Sequence, residues 1–268
     1  MEHAPTVPMT DTSADEGQRL RLLSYNIQAG IATPSFRHYL TGSWKHLLPH
    51  AKREQTLQRI AGMLHEFDIV GLQEADAGSL RTGDINLTEY LARNARFPYW
   101  SDQTNRNMGR IAQHSIGLLS RYRPRCVEGH RLPGPPGRGA LCAHFDAGEN
   151  DLVLIILHLA LGRRARGLQL DYLREQTATY PHLIVMGDLN LLADSEQMSE
   201  LIRSTSLRPP QPDLATFPSW KPRRSIDHIL VSETLDVAGT RVLPLAVSDH
   251  LPLCMDVSLP PSVRLIAG

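Results

Sequence analysis

Two polar side chains, Asp188 and Asn190, come directly after a short apolar run in the stretch His182–Asn190. The run, Leu183–Met186, contains β-branched residues and no polar alternation. It therefore predicts a strand buried on both faces, although a short buried helix shares this pattern. On an extended backbone Asp188 and Asn190 would leave the strand on the same side. A carboxylate and a carboxamide placed there could hold a water and a phosphate oxygen, but both residues are equally ordinary in a turn.

Polar residues also follow other short apolar runs along the chain. They are Asn26, Glu74, His158, Asp227 with His228, and Asp249 with His250. Any one of them is more simply explained as a place where a strand meets water. Together with the Asp188 pair they make six such places, dominated by Asp, Glu, Asn and His, which predicts that these strand ends converge on one site.

This set of residue types favours hydrolysis of a phosphate ester. Glu74 and Asn26 supply the hard oxygen ligands that Mg²⁺ prefers, and few enough to leave positions for water and substrate. A histidine held by a carboxylate can carry positive charge near a phosphate, and Asp227 with His250 are the candidates for that pair. The sequence has no recognisable nucleophile elbow and no HExxH zinc pattern, so activated water is favoured over a covalent intermediate.

The composition limits the partners and the compartment. The 268 residues carry 28 Lys and Arg against 28 Asp and Glu, and a net charge of zero gives little general attraction for nucleic acid. Three cysteines without CxxC spacing argue against a disulfide framework or a thiolate metal site. No apolar run is long enough to cross a membrane and the polar start is unlike a signal peptide, which predicts a cytoplasmic protein. We expect residues 1–18 to be a flexible leader and residues 19–268 to form a single domain.

The apolar patterns predict strands alternating with helices. Strands are predicted at Arg19–Asn26, Asp68–Glu74, Ser115–Arg121, Ala140–Phe145, Asp151–His158, Leu183–Met186, Ile226–Val231 and Leu251–Val257, and helices from about Pro49 and at Ile85–Asn94, Arg163–Thr179 and Ser195–Arg203. In the helix Arg163–Thr179, the inner face is assigned to Ala165, Leu168 and Tyr172. Antiparallel pairs mixed with strand–helix–strand units favour an α/β fold of two packed sheets with helices outside.

A specific resemblance supports this prediction. The motifs LSYNIQ, DIVGLQE, the HL of LHLAL, VMGDLN, SIDHILVS and SDHLPL occur in the order found in the endonuclease/exonuclease/phosphatase superfamily. The similarity covers Leu20–Val257, and GDLN and SDHLP are its strongest single motifs. It implies the DNase-like four-layer α/β sandwich, in which two packed mixed or antiparallel sheets are flanked by helices. It also implies a metal-dependent hydrolase acting on ester bonds, with Mg²⁺ as cofactor and Mn²⁺ as a substitute.

The resemblance also implies a role for each residue of the metal and water positions. Glu74 resembles the main metal ligand, with Asn26 beside it. Asp249 is similar to a second metal or water contact. Asp188 resembles the residue that orients or deprotonates the attacking water, and Asn190 resembles its neighbour on the phosphate side.

The histidines distinguish branches of this superfamily. His250 resembles the catalytic histidine beside the phosphate, and Asp227 its supporting carboxylate. His158 lies where the DNase, sphingomyelinase and phosphatase branches carry histidine and the AP endonucleases carry tyrosine. Gln28 stands where AP endonucleases have an acidic residue near the metal, so both positions argue against that branch.

One phosphate contact of the superfamily has no counterpart here. Many members carry asparagine in the strand that corresponds to SIGLLSR, where it contacts phosphate. The aligned residue is Ile116. The contact is therefore absent, or it is supplied by Asn107 or His114.

Three hypotheses for the substrate remain open. Two basic groups flank the predicted site and could attract a polyanion, although each alone is more simply a solvated loop face: Arg163, Arg164 and Arg166, and Lys221, Arg223 and Arg224. The favoured substrate is a small or lipid-derived phosphate ester. A DNA or RNA nuclease is the alternative, which zero net charge weighs against. A non-catalytic binding module is opposed by the presence of all the site residues together.

Overall fold

The structure, a computed structural model, describes residues 17–28, 50–79, 82, 84–107, 113–148 and 151–267. In chain order its elements are β1 (Arg19–Asn26), α1 (His50–Leu64), β2 (Ile69–Asp76), α2 (Leu87–Asn94), β3 (Tyr99–Asn107), β4 (Gln113–Ser120), β5 (Cys126–Arg131), β6 (Gly139–Phe145), β7 (Leu152–His158), α3 (Arg163–Thr179), β8 (His182–Asp188), α4 (Glu196–Arg203), β9 (Asp227–Val231), β10 (Asp236–Val242) and β11 (Leu253–Ser258).

The predicted leader falls mostly on residues 1–16, which lie outside the described residues. Its last position, Gln18, belongs to the folded chain. The Gln18 side chain donates to the carbonyl of Leu265 at 3.2 Å and accepts from the Leu265 amide at 2.7 Å. Gln18 therefore packs against the domain that we predicted to begin at Arg19.

The strands form two sheets. The first has six strands in the order β10-β11-β1-β2-β4-β3, and the second has five in the order β5-β6-β7-β8-β9. Strands β1 and β2 run parallel in the first sheet, and β7 and β8 run parallel in the second. The remaining neighbours are antiparallel, including the predicted pair β6 and β7, so both sheets are mixed.

The apolar residues divide the fold into four layers. Between the sheets, residues such as Leu22 and Met186 form one buried cluster. On the outer side of the first sheet, α1 and α2 pack through residues such as Ile60 and Leu91. On the outer side of the second, α3 and α4 pack through residues such as Leu173 and Leu201. Each helix buries one apolar stripe and each sheet buries both faces, which is the predicted four-layer α/β sandwich.

The register of β7 and β8 depends on Gly187. It pairs with Leu157, and His158 pairs with Asp188 at the end of both strands. Gly187 has a φ of +150°, and a Cβ atom there would lie 1.8 Å from the carbonyl oxygen of Leu157. Only glycine fits this close approach of two backbones.

Three strands were missed by the sequence patterns, and all three are edge strands. Strands β10 and β3 close the two ends of the first sheet, and β5 closes one end of the second. Along β5 and β10 no residue is fully buried. A strand that buries little apolar surface carries no hydrophobic period, so the pattern that found the core strands is absent from these.

The positions of the helices were predicted correctly, but one residue of the buried face of α3 was not. Helix α3 spans Arg163–Thr179 as predicted, and Ser195 caps α4 by accepting the amide of Met198. The inner-face assignment of Leu168 is wrong, because this residue is 49% exposed. The buried positions of α3 are Gln169, Leu170, Leu173 and Thr177. Within the part of the chain that the structure describes, no helix combines the length and apolar character needed to cross a bilayer.

Replacing Gly187 by alanine should destabilise the fold by about 2–4 kcal/mol, because the methyl group must push β7 away from β8. Gly62 is the matched control. It lies in α1, and a Cβ atom there meets nothing within 4 Å. Gly62→Ala should stabilise by about 0.5–1 kcal/mol through helix propensity. Urea unfolding followed by circular dichroism measures both changes, and an unchanged midpoint for Gly187→Ala would contradict the argument.

Candidate active site

Strand alternation brings four of the predicted residues together between the sheets. Leu22 on β1 and Met186 on β8 both point into the central core, so Asn26 and Asp188 at the ends of these strands point the same way. His158 on β7 and Asp227 on β9 follow the same alternation with core residues of their own strands. The four side chains meet at one end of the sandwich.

Asp188 is the centre of the site. Its Oδ2 accepts a hydrogen bond from Asn26 Nδ2 at 3.2 Å, which joins the two sheets. The same oxygen lies 3.3 Å from His158 Nε2 and 3.8 Å from His250 Nε2. Burial alone would raise the pKa of Asp188, but His158, His250 and the amide of Asn190 outweigh burial and lower this pKa below its usual range. Asp188 is therefore an ionised, buried carboxylate held by donors.

A chain of contacts orients His250 from behind. His250 Nδ1 lies 2.8 Å from Asp227 Oδ2, and the hydroxyl of Thr216 donates to the same oxygen. Burial opposes a charge on His250, but Asp227, Asp188 and Asp249 outweigh burial and raise the pKa of His250 to about 10. The ring is thus an imidazolium at neutral pH, with Nδ1 directed to Asp227 and Nε2 directed to Asp188.

Ser248 links Asp249 to the end of β1. Ser248 donates from its hydroxyl to the carbonyl of Asn26 at 2.7 Å, and the same hydroxyl lies 3.2 Å from Asp249 Oδ1. Burial has the largest effect on Asp249 and raises its pKa to about 6. The positive charge of His250 opposes this increase, and the negative charge of Glu74 adds a smaller increase. Asp249 and Glu74 are therefore two carboxylates close enough to repel each other.

Glu74 reaches the site from an irregular strand end. The pairing of β2 with β4 shifts register between Leu72 and Ala75, and Glu74 has a φ of +51°. This left-handed conformation is costly for a residue with a side chain, and it turns Glu74 out of the strand at the mouth of the sandwich. Glu74 Oε1 lies 4.0 Å from His158 Nδ1, so His158 stands between Glu74 and Asp188.

The donor set of Asn26, Glu74 and Asp249 fits a hard divalent cation. All three offer oxygen atoms, and Glu74 is partly open to solvent. The mutual repulsion of Glu74 and Asp249 is the electrostatic condition that a bound cation relieves. Asn26 Oδ1 accepts the amide of Gln28 at 3.2 Å, which leaves its second lone pair for a ligand.

A second group, formed by Asp188, Asp227 and His250, also offers one ligand atom each within 4.8 Å. In this group Asp227 Oδ2 already accepts from Thr216 and faces His250 Nδ1. A cation bound there would displace these hydrogen bonds and meet an imidazolium. The group is better suited to hold protons and water than a metal.

Asn190 lies in the site, but not by the strand alternation that we expected. Strand β8 ends at Asp188, and Asn190 has a φ of +48°. Its amide donates to Asp188 Oδ1 at 3.0 Å, and its side chain donates from Nδ2 to the carbonyl of Leu159 at 3.0 Å. The turn itself places Asn190 beside Asp188, and the role of Asn190 at a phosphate stays a prediction.

One predicted residue lies away from the site. His228 turns away from it, with Nε2 only 2.6 Å from the carbonyl of Leu191, and burial lowers its pKa. Ile116 is buried in the central core, next to the site. The side chain of Asn107 lies outside the described residues.

A cavity of about 400 Å³ opens beside Glu74 and His158. Apolar surface on its walls comes from Ile116, Pro135, Pro136, Ala160, Leu161 and Ala165, and polar groups come from Asn105, His114 and Arg138. The Pro/Gly-rich turn between β5 and β6 therefore forms one wall of the site. His114, suspected from the sequence as a phosphate contact, lines this cavity.

Two supporting residues, Thr216 and Ser248, were missed. Thr216 is fully buried in the long loop before β9, and no motif or period marks it in the sequence. Ser248 stands immediately before Asp249 and His250, so its place in the SDH motif was the available signal.

A family model now adds to the geometry. The model of the Endonuclease/Exonuclease/phosphatase family matches residues 23–250, a range that contains every residue of the candidate site. The chain belongs to this family. Members of the endonuclease/exonuclease/phosphatase family are phosphoesterases and nucleases, so the prediction of a hydrolase acting on ester bonds is confirmed.

Solved structures share the fold at low sequence identity. A family protein from Bacteroides thetaiotaomicron has a TM-score of 0.68 at 17% identity, covering 91% of this chain and 99% of its own. A mannosyl-6-phosphatase from the same organism has a TM-score of 0.68 at 18% identity, covering 90% and 100%. The human Nocturnin catalytic domain, with a bound sulfate anion, has a TM-score of 0.65 at 20% identity, covering 90% and 93%. Comparison with curated protein sequences gives no match.

Thr216→Val should lower kcat by about tenfold or more, since a buried hydrogen bond to a charged group is lost and His250 loses its fixed partner. Thr88→Val is the matched control. Thr88 is also buried, but its hydroxyl has no hydrogen-bond partner among the described residues. Its removal should leave both kcat and thermal unfolding unharmed. Steady-state hydrolysis of bis-p-nitrophenyl phosphate measures kcat, and equal values for Thr216→Val and the wild type would contradict the role of Thr216.

Proposed function

We propose that this protein hydrolyses a phosphate ester, a monoester or a diester, by direct attack of water with the help of a divalent cation, Mg²⁺ in the first place. The observation that carries the proposal is the position of Asp188. Its carboxylate is buried between two histidines and an asparagine amide, where the ends of β1, β7 and β8 meet. Such a group can orient a water molecule and accept a proton from it as the water oxygen attacks.

The metal would be held by Asn26, Glu74 and Asp249. When bound, such a cation would supply a Lewis acid for a phosphoryl oxygen and for the charge on the leaving oxygen. The three residues supply oxygen atoms only and leave positions for water and substrate. Mn²⁺ has similar ligand preferences and is the expected substitute.

The chain's own residues then divide the proton and charge handling. Asp188 holds the attacking water and receives its proton. His250, kept in place by Asp227, directs its Nε2 proton at the phosphate and stabilises the developing negative charge. His158, whose two ring nitrogens face Asp188 and Glu74, positions these carboxylates relative to each other. Asn190 uses one Nδ2 proton on the carbonyl of Leu159, and its second proton is the donor for a phosphate oxygen.

The cavity beside Glu74 supports a compact substrate. Its mixture of proline and aliphatic walls with a few polar groups suits an organic alcohol or a small phosphate ester, including one derived from a lipid. A nuclease is the second candidate, favoured by the arginines around the site. The test is a panel of substrates with Mg²⁺: plasmid DNA, an RNA oligonucleotide, sphingomyelin, phosphoinositides and a generic diester. If the protein hydrolyses none of these substrates, the proposal is wrong.

Asp188→Asn should lower kcat by about a thousandfold or more with folding intact, because the shape is kept while the water loses its acceptor. Asp236→Asn is the control, since the side chain of Asp236 is 89% exposed on β10. It should hydrolyse the diester at the wild-type rate. Full activity in Asp188→Asn, with unchanged circular dichroism, would eliminate Asp188 as the water-holding residue.

Glu74→Gln should weaken metal binding by at least about tenfold, because a neutral amide replaces the main anionic ligand. Glu66→Gln is its control. Glu66 is exposed ahead of β2, at the opposite end of the strand. Direct titration with Mn²⁺, followed by electron paramagnetic resonance, reads the affinity without relying on turnover. Identical titration curves for Glu74→Gln and the wild type would remove Glu74 from the metal site.

A further inference from the structure

Positive charge lies beside the candidate active site, across a single aromatic ring. The ring of Phe217 packs on the ring of His250, with 4.8 Å between centroids and 48° between planes. The guanidinium carbon of Arg224 lies 6.0 Å from the centre of the Phe217 ring. Phe217 therefore separates Arg224 from the imidazolium that faces the reacting phosphate.

The backbone holds Arg224 in this position. The amide of Phe217 donates to the carbonyl of Arg224 at 3.1 Å, and the amide of Arg224 donates back to the carbonyl of Phe217 at 3.0 Å. The preceding residue, Thr216, donates its amide to the same carbonyl of Arg224 and its hydroxyl to Asp227. The short hairpin that orients the catalytic pair thus also places Arg224.

A second arginine, Arg166, lies in the first turn of α3. It donates to the carbonyls of Ala160 and Leu161 and to the side chain of Gln197. Its pKa is lowered by burial and then by the positive charges of Arg163 and Arg224. Each of the three guanidinium nitrogens of Arg166 already donates within the protein, which leaves Arg224 as the open guanidinium.

No carboxylate among the described residues balances the positive charge of Arg224. Among the described residues no carboxylate pairs with it and no acceptor binds its guanidinium, whereas Arg163 pairs with Glu196 at 2.7 Å. Arg224 is exposed, so its guanidinium donors face solvent. An exposed guanidinium without a paired carboxylate attracts an anion.

We propose that Arg224 binds a second phosphate group of the substrate, one aromatic ring away from the phosphate that is hydrolysed. The planar guanidinium presents a fork of donors that matches two phosphate oxygens, which a single ammonium does not. The inference rests on the proposed function and narrows it. The substrate carries at least two phosphates, as a small bisphosphate or as a short nucleic-acid strand.

Calorimetry on the full chain tests this without turnover. In Mg²⁺ buffer the protein is titrated with linear alkane bisphosphonates of increasing length and with the matching alkyl monophosphonates, whose carbon–phosphorus bonds are not hydrolysed. At one chain length the bisphosphonate should bind about tenfold or more tightly than the monophosphonate. Arg224→Ala should remove this preference, and Arg224→Lys should retain part of it.

Arg264→Ala is the matched control. Arg264 is exposed and hydrogen-bonded through its backbone to Ala147, near the start of β7 and so at the end of the second sheet opposite the site. This variant loses the same charge and should keep the full preference. A preference that survives Arg224→Ala, or an equal loss of preference in Arg264→Ala, would overturn the proposal.

The two sources of a second phosphate are separated by a further arm. A short single-stranded oligothymidylate is titrated against the same variants after chelation of the metal. If Arg224 increases the affinity for the oligonucleotide alone, the second phosphate belongs to a nucleic-acid backbone. If Arg224 increases the affinity for the bisphosphonates, the second phosphate belongs to a small molecule. If Arg224 increases neither affinity, the proposal is overturned. Failure of the proposed hydrolysis would appear separately, as a wild-type protein that shows the binding preference but converts none of the substrates in the panel.

Discussion

The structure depends on one buried negative charge. Asp188 is 2% exposed, and an ionised carboxylate taken out of water is very costly unless donors and positive charge surround it. No single element supplies them. Asn26 comes from the other sheet, His158 from the neighbouring strand, the Asn190 amide from the following turn and His250 from a distant loop. The two sheets must pack in one relative position for this carboxylate to be satisfied, so the same contacts define the sandwich and the site.

A second set of hydrogen bonds holds the residues around Asp188. Thr216 and Asp227 fix His250, while Ser248 ties the end of β1 to the segment that carries Asp249. The loop before β9 serves two purposes, because Thr216 supports the reacting histidine and Arg224 faces the space beyond it. A change in the sequence of this loop would then alter both the reaction and the choice of substrate.

The sequence predicted the core strands well, and it predicted that polar residues at their ends would lie together, for a physical reason. Strands such as β7 and β8 are buried on both faces, so each appears as an unbroken apolar run, and a polar residue at its end stands out. The edge strands bury little and gave no signal. Three features of the site depend on contacts that no local pattern encodes: the positive φ of Asn190, the register shift that exposes Glu74, and the buried hydroxyl of Thr216.

The distances along the chain have a consequence for how the protein folds. Asn26 and Asp188 are 162 residues apart, and Ser248 reaches back 222 residues to Asn26. Pairings of such sequence separation form late, because the entropy of closing long loops must be lost before the contacts stabilise anything. The first strand and the last loop must both be in place before the charge of Asp188 is neutralised. Recovery of the active centre during refolding is therefore a reporter on the final docking of the chain's two ends, and not on the early collapse of its core.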